Sequence, residues 1–156
     1  MSKYRIALFI GRFQPFHNGH LYSLKKCFEI AENVIVGIGS SGESGTENNP
    51  WDFETRKKMV ESVLRGSSSQ VVAIPDVFND EKWGKLILEI ISEAGCGADE
   101  VVGVGNNEWT NRILRTIGVD VHETGLYMRD ELEGIKIREH IKGSDNSWKV
   151  RVPESV

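Results

Sequence analysis

The sequence predicts an α/β fold built on a doubly wound parallel sheet, and three observations lead there. Short apolar runs alternate with longer segments of helical periodicity along the whole chain. The runs are continuously apolar, as expected of strands covered on both faces. Clusters of glycine, proline and polar residues follow the strands, where the ligand-binding loops of such a sheet lie. Right-handed βαβ units account for that order of elements.

Each element follows from its residues. Tyr4–Ile10 (YRIALFI) is apolar and bounded by Gly11, which suits a buried first strand. Leu21–Ala31 carries Leu21, Leu24, Phe28 and Ala31 at helical spacing, with Lys25, Lys26 and Glu29 elsewhere on the turn. Val34–Ile38 is a second strand. A helix over Phe53–Leu64 starts after Pro50 and Asp52 and closes near Gly66. Gln70–Ile74 is a third strand, closed by Pro75. Glu81–Ala94 is an amphipathic helix stopped by Gly95 and Gly97. Glu100–Val104 forms a fourth strand, Glu108–Ile117 a helix, Val119–His122 a short fifth strand and Gly134–Ile141 a last helix. The loops at Gly11–Asn18, Gly39–Asp52, Pro75–Asp80 and Gly105–Asn107 therefore share one end of the sheet.

No repeat or linker-like stretch interrupts this alternation, so residues 1–156 read as one domain, long enough to bury a substantial core. The composition, 39% hydrophobic and 27% charged, is that of a soluble globular protein. A formal net charge of −4 argues against nucleic acid or an anionic membrane as partner. No apolar run approaches bilayer length, and Met1–Arg5 leads into a strand with no small-residue cleavage site, so a cytoplasmic location is expected. Cys27 and Cys96 stand apart, without a CxxC spacing or a ligand cluster, and read as two buried thiols.

Three segments resemble phosphate-binding motifs. Gly37-Ile38-Gly39-Ser40-Ser41-Gly42 matches GxGxxG after a strand, yet it runs into Glu43–Pro50, a loop, and not into a helix that could face a pyrophosphate. A substrate-covering loop fits better than a dinucleotide site. Gly11 and Gly19 lack the GK[ST] ending of a P-loop. The segment Gly11-Arg12-Phe13-Gln14-Pro15-Phe16-His17-Asn18-Gly19-His20 carries more. Gly11 ends the strand and lets the backbone approach a ligand. Pro15 stiffens the loop, and Asn18 or a neighbour caps the coming helix. His17 and His20, three apart at a helix start, project from nearly one face, beside free N–H groups and partial positive charge. With Arg12 they form a phosphate clamp, and Gly19 removes a side chain where a triphosphate must pack. A zinc site is a poor alternative, because HxxH has no nearby Cys or carboxylate ligand. The remaining alternative makes one histidine a cap and the other a surface residue.

GRFQPFHNGH closely resembles the signature of the HxGH nucleotidyltransferases, in particular their archaeal-type nicotinamide-mononucleotide adenylyltransferase branch. HxGH marks the superfamily; the Gly-Arg-Phe-Gln-Pro-Phe lead-in is more specific, since flavin, glycerol-phosphate and pantetheine relatives usually carry a Thr-Phe-Asp-type lead-in. The resemblance runs nearly end to end. Asn49-Pro50-Trp51 through Arg56 is similar to the Asp-Pro-Phe…Glu-Arg stretch that opens the second helix. Trp83, after Pro75-Asp76 and Asp80, resembles the tryptophan that stacks on the nicotinamide ring. Gly105-Asn106-Asn107 with Arg112 resembles the segment near the adenine, and Tyr127-Met128-Arg129-Asp130 the Tyr-Arg-Asp run before the last motif. That last motif, usually Ser-Gly-Thr-Glu-Val-Arg, reads here Glu133-Gly134-Ile135-Lys136-Ile137-Arg138, and Asn48 stands where the branch tends to place an arginine. Both departures remove phosphate contacts; Lys136 offers one replacement charge.

The resemblance implies a Rossmann-like domain that moves AMP from ATP to nicotinamide mononucleotide, with Mg²⁺ carried on the ATP phosphates, and a homo-oligomer. It implies substrate-binding positions at Gly11, Phe13, Gln14, Gly19, Gly39, Trp83, Gly105, Asn106, Asn107, Arg112, Arg129 and Gly134. No Ser, Cys or Lys has the partners of an activated nucleophile, and such a transfer needs none, because the acceptor's phosphate attacks directly. His17, His20, Arg12 and Arg138 are the donors expected to spread the developing charge. His20 is assigned to the α-phosphate, as a side chain reaching into a polar site with few core contacts. Trp83 is either the platform for the acceptor ring or a core tryptophan. Trp109 and Trp148 read as packing, Arg56 as pairing on its own helix, and Arg129 as a contact to the acceptor phosphate. Rival readings are a different phosphorylated acceptor, such as FMN, and a weakly catalytic nucleotide-binding regulator.

Overall fold

A computed structural model describes residues 4–64, 67–125, 134–142, 149 and 151–156. Five strands, β1 (Tyr4–Gly11), β2 (Ala31–Gly39), β3 (Ser69–Ile74), β4 (Val101–Val104) and β5 (Asp120–His122), form one sheet in the order β3-β2-β1-β4-β5. Among the described residues every pairing is parallel. Helices α1 (Asn18–Ile30), α2 (Phe53–Leu64), α3 (Asp80–Glu93), α4 (Glu108–Thr116) and α5 (Gly134–Lys142) complete the alternation. Strand order reverses direction between β1 and β4, and that switch point opens a crevice at the carboxyl ends of the strands.

The period of two along β1 distributes the core. Ala7 and Phe9 join Leu24, Cys27, Val60 and Leu64 beneath α1 and α2. Ile6 and Leu8 join Trp83, Ile87, Ile91, Ile113 and Leu114 beneath α3 and α4. The sheet is thus covered on both faces, which is why its strands read as unbroken apolar runs. Gly37 belongs to this packing: a Cβ there would overlap the Ile74 Cδ1, so the first glycine of the GxGxxG match serves the fit of β2 against β3.

Helix α2 has the predicted bounds, and other elements differ at their ends. Strand β2 starts at Ala31 instead of Val34, and pairs Asn33 with Ile6, because ladder hydrogen bonds form regardless of exposed Glu32 and Asn33 side chains. Helix α1 starts at Asn18, three residues before the first apolar position, since its opening turn is built from capping groups. The two thiols also part company. Cys27 is buried, and burial pushes it up to about 12, while Cys96 is only half-buried. Among the described residues, no helix is long and apolar enough to cross a membrane.

Candidate active site

The site begins with a helix cap made of two imidazoles. His17, in extended backbone conformation, is the N-cap of α1, and its Nδ1 accepts from the N–H of Gly19 at 3.1 Å and of His20 at 3.4 Å. His20 reciprocates, its Nδ1 accepting from the His17 N–H at 3.1 Å. This is a capping box in which both usual side chains are replaced by histidine. The Asn18 N–H donates to the Arg151 carbonyl at 2.8 Å. Of the expected cap, Asn18 or a neighbour, the neighbour His17 takes the role, and the expectation that free N–H groups await a phosphate is corrected: those donors are already engaged, by His17 and by the C-terminal segment.

What the helix offers a ligand instead is the far side of the rings. An Nδ1 that accepts carries no proton, so each neutral imidazole holds its proton on Nε2. The rings stack with centroids 3.7 Å apart, which gives two parallel N–H donors at the positive end of α1. His20 also lies against the rings of Phe13 at 4.7 Å, Phe16 at 5.4 Å and Phe9 at 6.2 Å. It therefore does not reach into a polar site with few core contacts, as expected, but sits on an aromatic bed.

That bed keeps both rings neutral. Burial pushes His17 down to about 4, and burial, with His17 as neighbour, holds His20 well below its ordinary 6.5. The unfolded chain, titrating near 6.5, binds more protons than the folded one below that pH, so stability falls as pH falls. For His17 the contribution is complete above 6.5 and is lost down to about 4, worth about 3 kcal/mol in all. Thermal melts from pH 7 to pH 4.5 should show Tm falling for the wild type and falling less for His17→Asn, which keeps a capping acceptor without a titrating ring. Parallel curves for the two proteins would contradict the neutral pair.

The β1 loop around this cap is held by reciprocal bonds. Phe13, with φ of 54°, folds its ring over Gly11, where a Cβ would come 3.0 Å from it. The missing side chain of Gly11 thus makes room for the Phe13 ring. Gln14 is buried and bonds the Trp51 backbone at both ends of its amide, donating to the carbonyl at 3.0 Å and accepting from the N–H at 3.1 Å. Arg138 on α5, buried, donates to the Gln14 carbonyl at 2.7 Å. Arg12 is exposed and reaches Asn49 Oδ1 at 3.5 Å. Gly39 lies beside this loop, its missing Cβ 3.7 Å from the Gly11 carbonyl. Arg56, expected to pair on its own helix, instead gathers carbonyls from three segments and is wholly buried. Apart from the Asp52 carbonyl at the start of its own helix, its partners are backbone groups far away in sequence, which no side-chain pattern announces.

Across the switch point, the Gly105–Asn107 segment is equally committed. Asn107 caps α4 through Thr110 N–H at 2.9 Å. Asn106 grips Gly125, donating to its carbonyl at 2.8 Å and accepting from its N–H at 2.9 Å. Buried Asn111, not singled out in the sequence, takes the Gly105 carbonyl at 3.1 Å. Arg112 pairs with Asp80 at 3.3 Å on the surface. Trp83 is 5% exposed and belongs to the core, whereas Trp109, expected to be packing, is 41% exposed, lies 4.8 Å from Trp83 and donates its Nε1 proton to Asp80 at 3.1 Å. Its position in the first turn of α4, just after the Gly105 loop, was the available signal. Arg129 lies outside the described residues, as do Tyr127–Asp130, Glu133, Trp148 and the Lys136 side chain; Gly134 opens α5.

The structure thus gathers Arg12, His17, His20 and Arg138 around the β1 loop, with Gly39 and Gly105–Asn107 on neighbouring strand ends, and leaves Trp83 in the core. The chain matches the cytidylyltransferase-like family over residues 8–150. It is 34% identical to the nicotinamide-nucleotide adenylyltransferase of Thermococcus sibiricus, over 96% of this chain and 80% of that protein. It is 32% identical to that of Haloarcula marismortui, over 96% and 77%. A crystal structure from Francisella tularensis, a bifunctional NMN adenylyltransferase/ADP ribose pyrophosphatase complexed with AMP and a manganese ion, aligns with a TM-score of 0.82 at 26% identity. That alignment covers 96% of this chain and 44% of the other, so this chain spans under half of that protein. With the stacked His17–Gly19–His20 cap at the switch point and the family match over residues 8–150, the chain belongs to the cytidylyltransferase-like family of HxGH nucleotidyltransferases.

Proposed function

We propose that this protein transfers AMP from ATP to nicotinamide mononucleotide, forming NAD and pyrophosphate. The observation that carries the proposal is the stacked imidazole pair at the carboxyl end of β1, each ring accepting a main-chain N–H at Nδ1, which leaves Nε2 to carry the proton. A phosphate oxygen of the acceptor attacks the α-phosphorus of ATP, a new P–O bond forms, and the bond to the bridging oxygen breaks as pyrophosphate leaves in line. The chain supplies no nucleophile. Its Nε2–H groups, Arg12 and the positive end of α1 meet charge as it accumulates on the phosphoryl oxygens. Because the two imidazoles are already neutral at physiological pH, they need no change of protonation and are ready before the substrate arrives. Arg138, anchored on the Gln14 carbonyl, sets the β1 loop from the opposite side.

Among the described residues, no three His, Cys, Asp or Glu side chains are grouped to hold a metal. A magnesium ion would come to this site on the ATP, where it would supply charge neutralisation to the phosphates. The names of the relatives and the AMP in the Francisella structure support the substrates. A single domain over 1–156, a homo-oligomer and a cytoplasmic location belong to the same proposal. Purified protein with ATP, Mg²⁺ and nicotinamide mononucleotide is expected to release pyrophosphate and NAD in equal amounts. An inert mixture, with FMN or another phosphorylated acceptor reacting instead, would reassign the acceptor and keep the reaction class.

A further inference from the structure

Arg56 on α2 is a wholly buried cation whose guanidinium, among the described residues, bonds to main-chain oxygens alone. Its Nε donates to the Asp52 carbonyl at 3.2 Å, one terminal nitrogen to the carbonyls of Arg12 at 3.1 Å and Gly39 at 2.8 Å, and the other to those of Ser40 at 3.0 Å and Glu43 at 3.3 Å. The facing charges are Asp52, Asp76 and Arg12. Asp52 turns its Oδ1 to the Thr55 N–H at 2.8 Å, and Asp76 accepts from the Ser40 hydroxyl at 3.1 Å. Burial lowers the guanidinium from its usual range, yet an arginine stays charged in any protein.

Two consequences follow for an anion at the strand ends. Carbonyl oxygens carry partial negative charge, and four of them, from the loops after β1 and β2, are turned onto Arg56 and so away from the crevice. A buried cation held by carbonyls, with no carboxylate in hydrogen-bond reach, also adds its positive charge beneath Arg12, offset in part by Asp52 and Asp76.

We propose that Arg56 is a positioning residue for the triphosphate: its fork of carbonyl bonds fixes the β1 and β2 loops with their carbonyls withdrawn, so that the loop carrying Arg12 presents a positive face to ATP. This rests on the adenylyltransfer proposed above. Arg56 itself stays out of contact with substrate, and a lysine cannot replace it fully, having three donors at a point where the arginine fork spans five bonds.

The test compares wild type, Arg56→Gln, Arg56→Lys and Val60→Ala, the last a core cut on the same helix. Mg-ATP affinity is measured by titration calorimetry without acceptor, and kcat, both KM values and Tm are measured by turnover and melting. Arg56→Gln should weaken ATP at least ten-fold at about 0.1 M salt while the KM of the acceptor stays within about two-fold. Arg56→Lys should recover part of the ATP affinity, and Val60→Ala should lower Tm with ATP affinity unchanged. A folded Arg56→Gln that binds ATP within two-fold of wild type overturns the proposal. So does an equal loss for both substrates, or failure of both Arg56 variants to fold, since the residue then serves the fold alone. Wild type that makes no NAD defeats the adenylyltransfer reading itself, a result distinct from any of these.

Discussion

His20→Gln is expected to lower kcat by about 10²–10³-fold, the usual effect of losing one donor to developing charge. Glutamine suits the experiment better than alanine. It is a common third residue of a capping box, and its carbonyl can accept from the His17 N–H, so the helix start survives. His20→Ala removes that acceptor and the contacts with Phe9, Phe13 and Phe16 together, so it should add a stability loss of about 1 kcal/mol or more to the kinetic one. ATP affinity should move far less than kcat in His20→Gln, because Arg12 and His17 remain. Turnover, ATP titration and melting on the glutamine variant separate the roles. Near-normal kcat in a well-folded His20→Gln protein would remove His20 from the transition state.

Trp83→Ala should cost about 3–5 kcal/mol of stability, the usual range for emptying a buried tryptophan site. The indole is 5% exposed and packs with Ile87, Ile91 and Ile113 under the sheet, so little collapse can fill the space. For a chain of this size the loss corresponds to a Tm lower by roughly 6–20 °C. A stacking platform behaves differently: acceptor KM would rise with Tm nearly unchanged, a loss on the order of 1–3 kcal/mol in binding. Melting curves within about 2 °C of wild type, combined with a raised acceptor KM, would return Trp83 to the substrate site.

Much of this was legible in the residues. Continuous apolar runs between helical segments specify a sheet with two covered faces, and the ten residues from Gly11 to His20 locate the site at its carboxyl edge. The spacing of Trp83, Ile87 and Ile91, four apart, already marked a buried helix stripe, and an analogy with stacking tryptophans obscured it. Other features had no local signature. A histidine cap stood among the readings, but Ser, Thr, Asp and Asn dominate that position and Asn18 stood next to it, so residue type alone did not choose His17. Gln14 and Arg56 spend their side chains on main-chain groups of distant segments, and backbone partners leave no trace in residue type. Asn106 likewise looked available until the turn at Gly125 came to it.

The two-imidazole cap lets secondary structure dictate the chemistry of the site. In many enzymes a carboxylate is needed behind a histidine to choose which nitrogen carries the proton. Here the main chain does that work, since winding the first turn of α1 claims one nitrogen from each ring. The spacing of three is then set by the distance from cap to third residue, with Asn18 and Gly19 as the two positions between, and not by the ligand alone. One residue added to or removed from that interval takes the second ring away from the His17 N–H, while His17 keeps the main-chain donors that any following residues supply. The tautomer of the second ring and its stacking on the first would then be lost together.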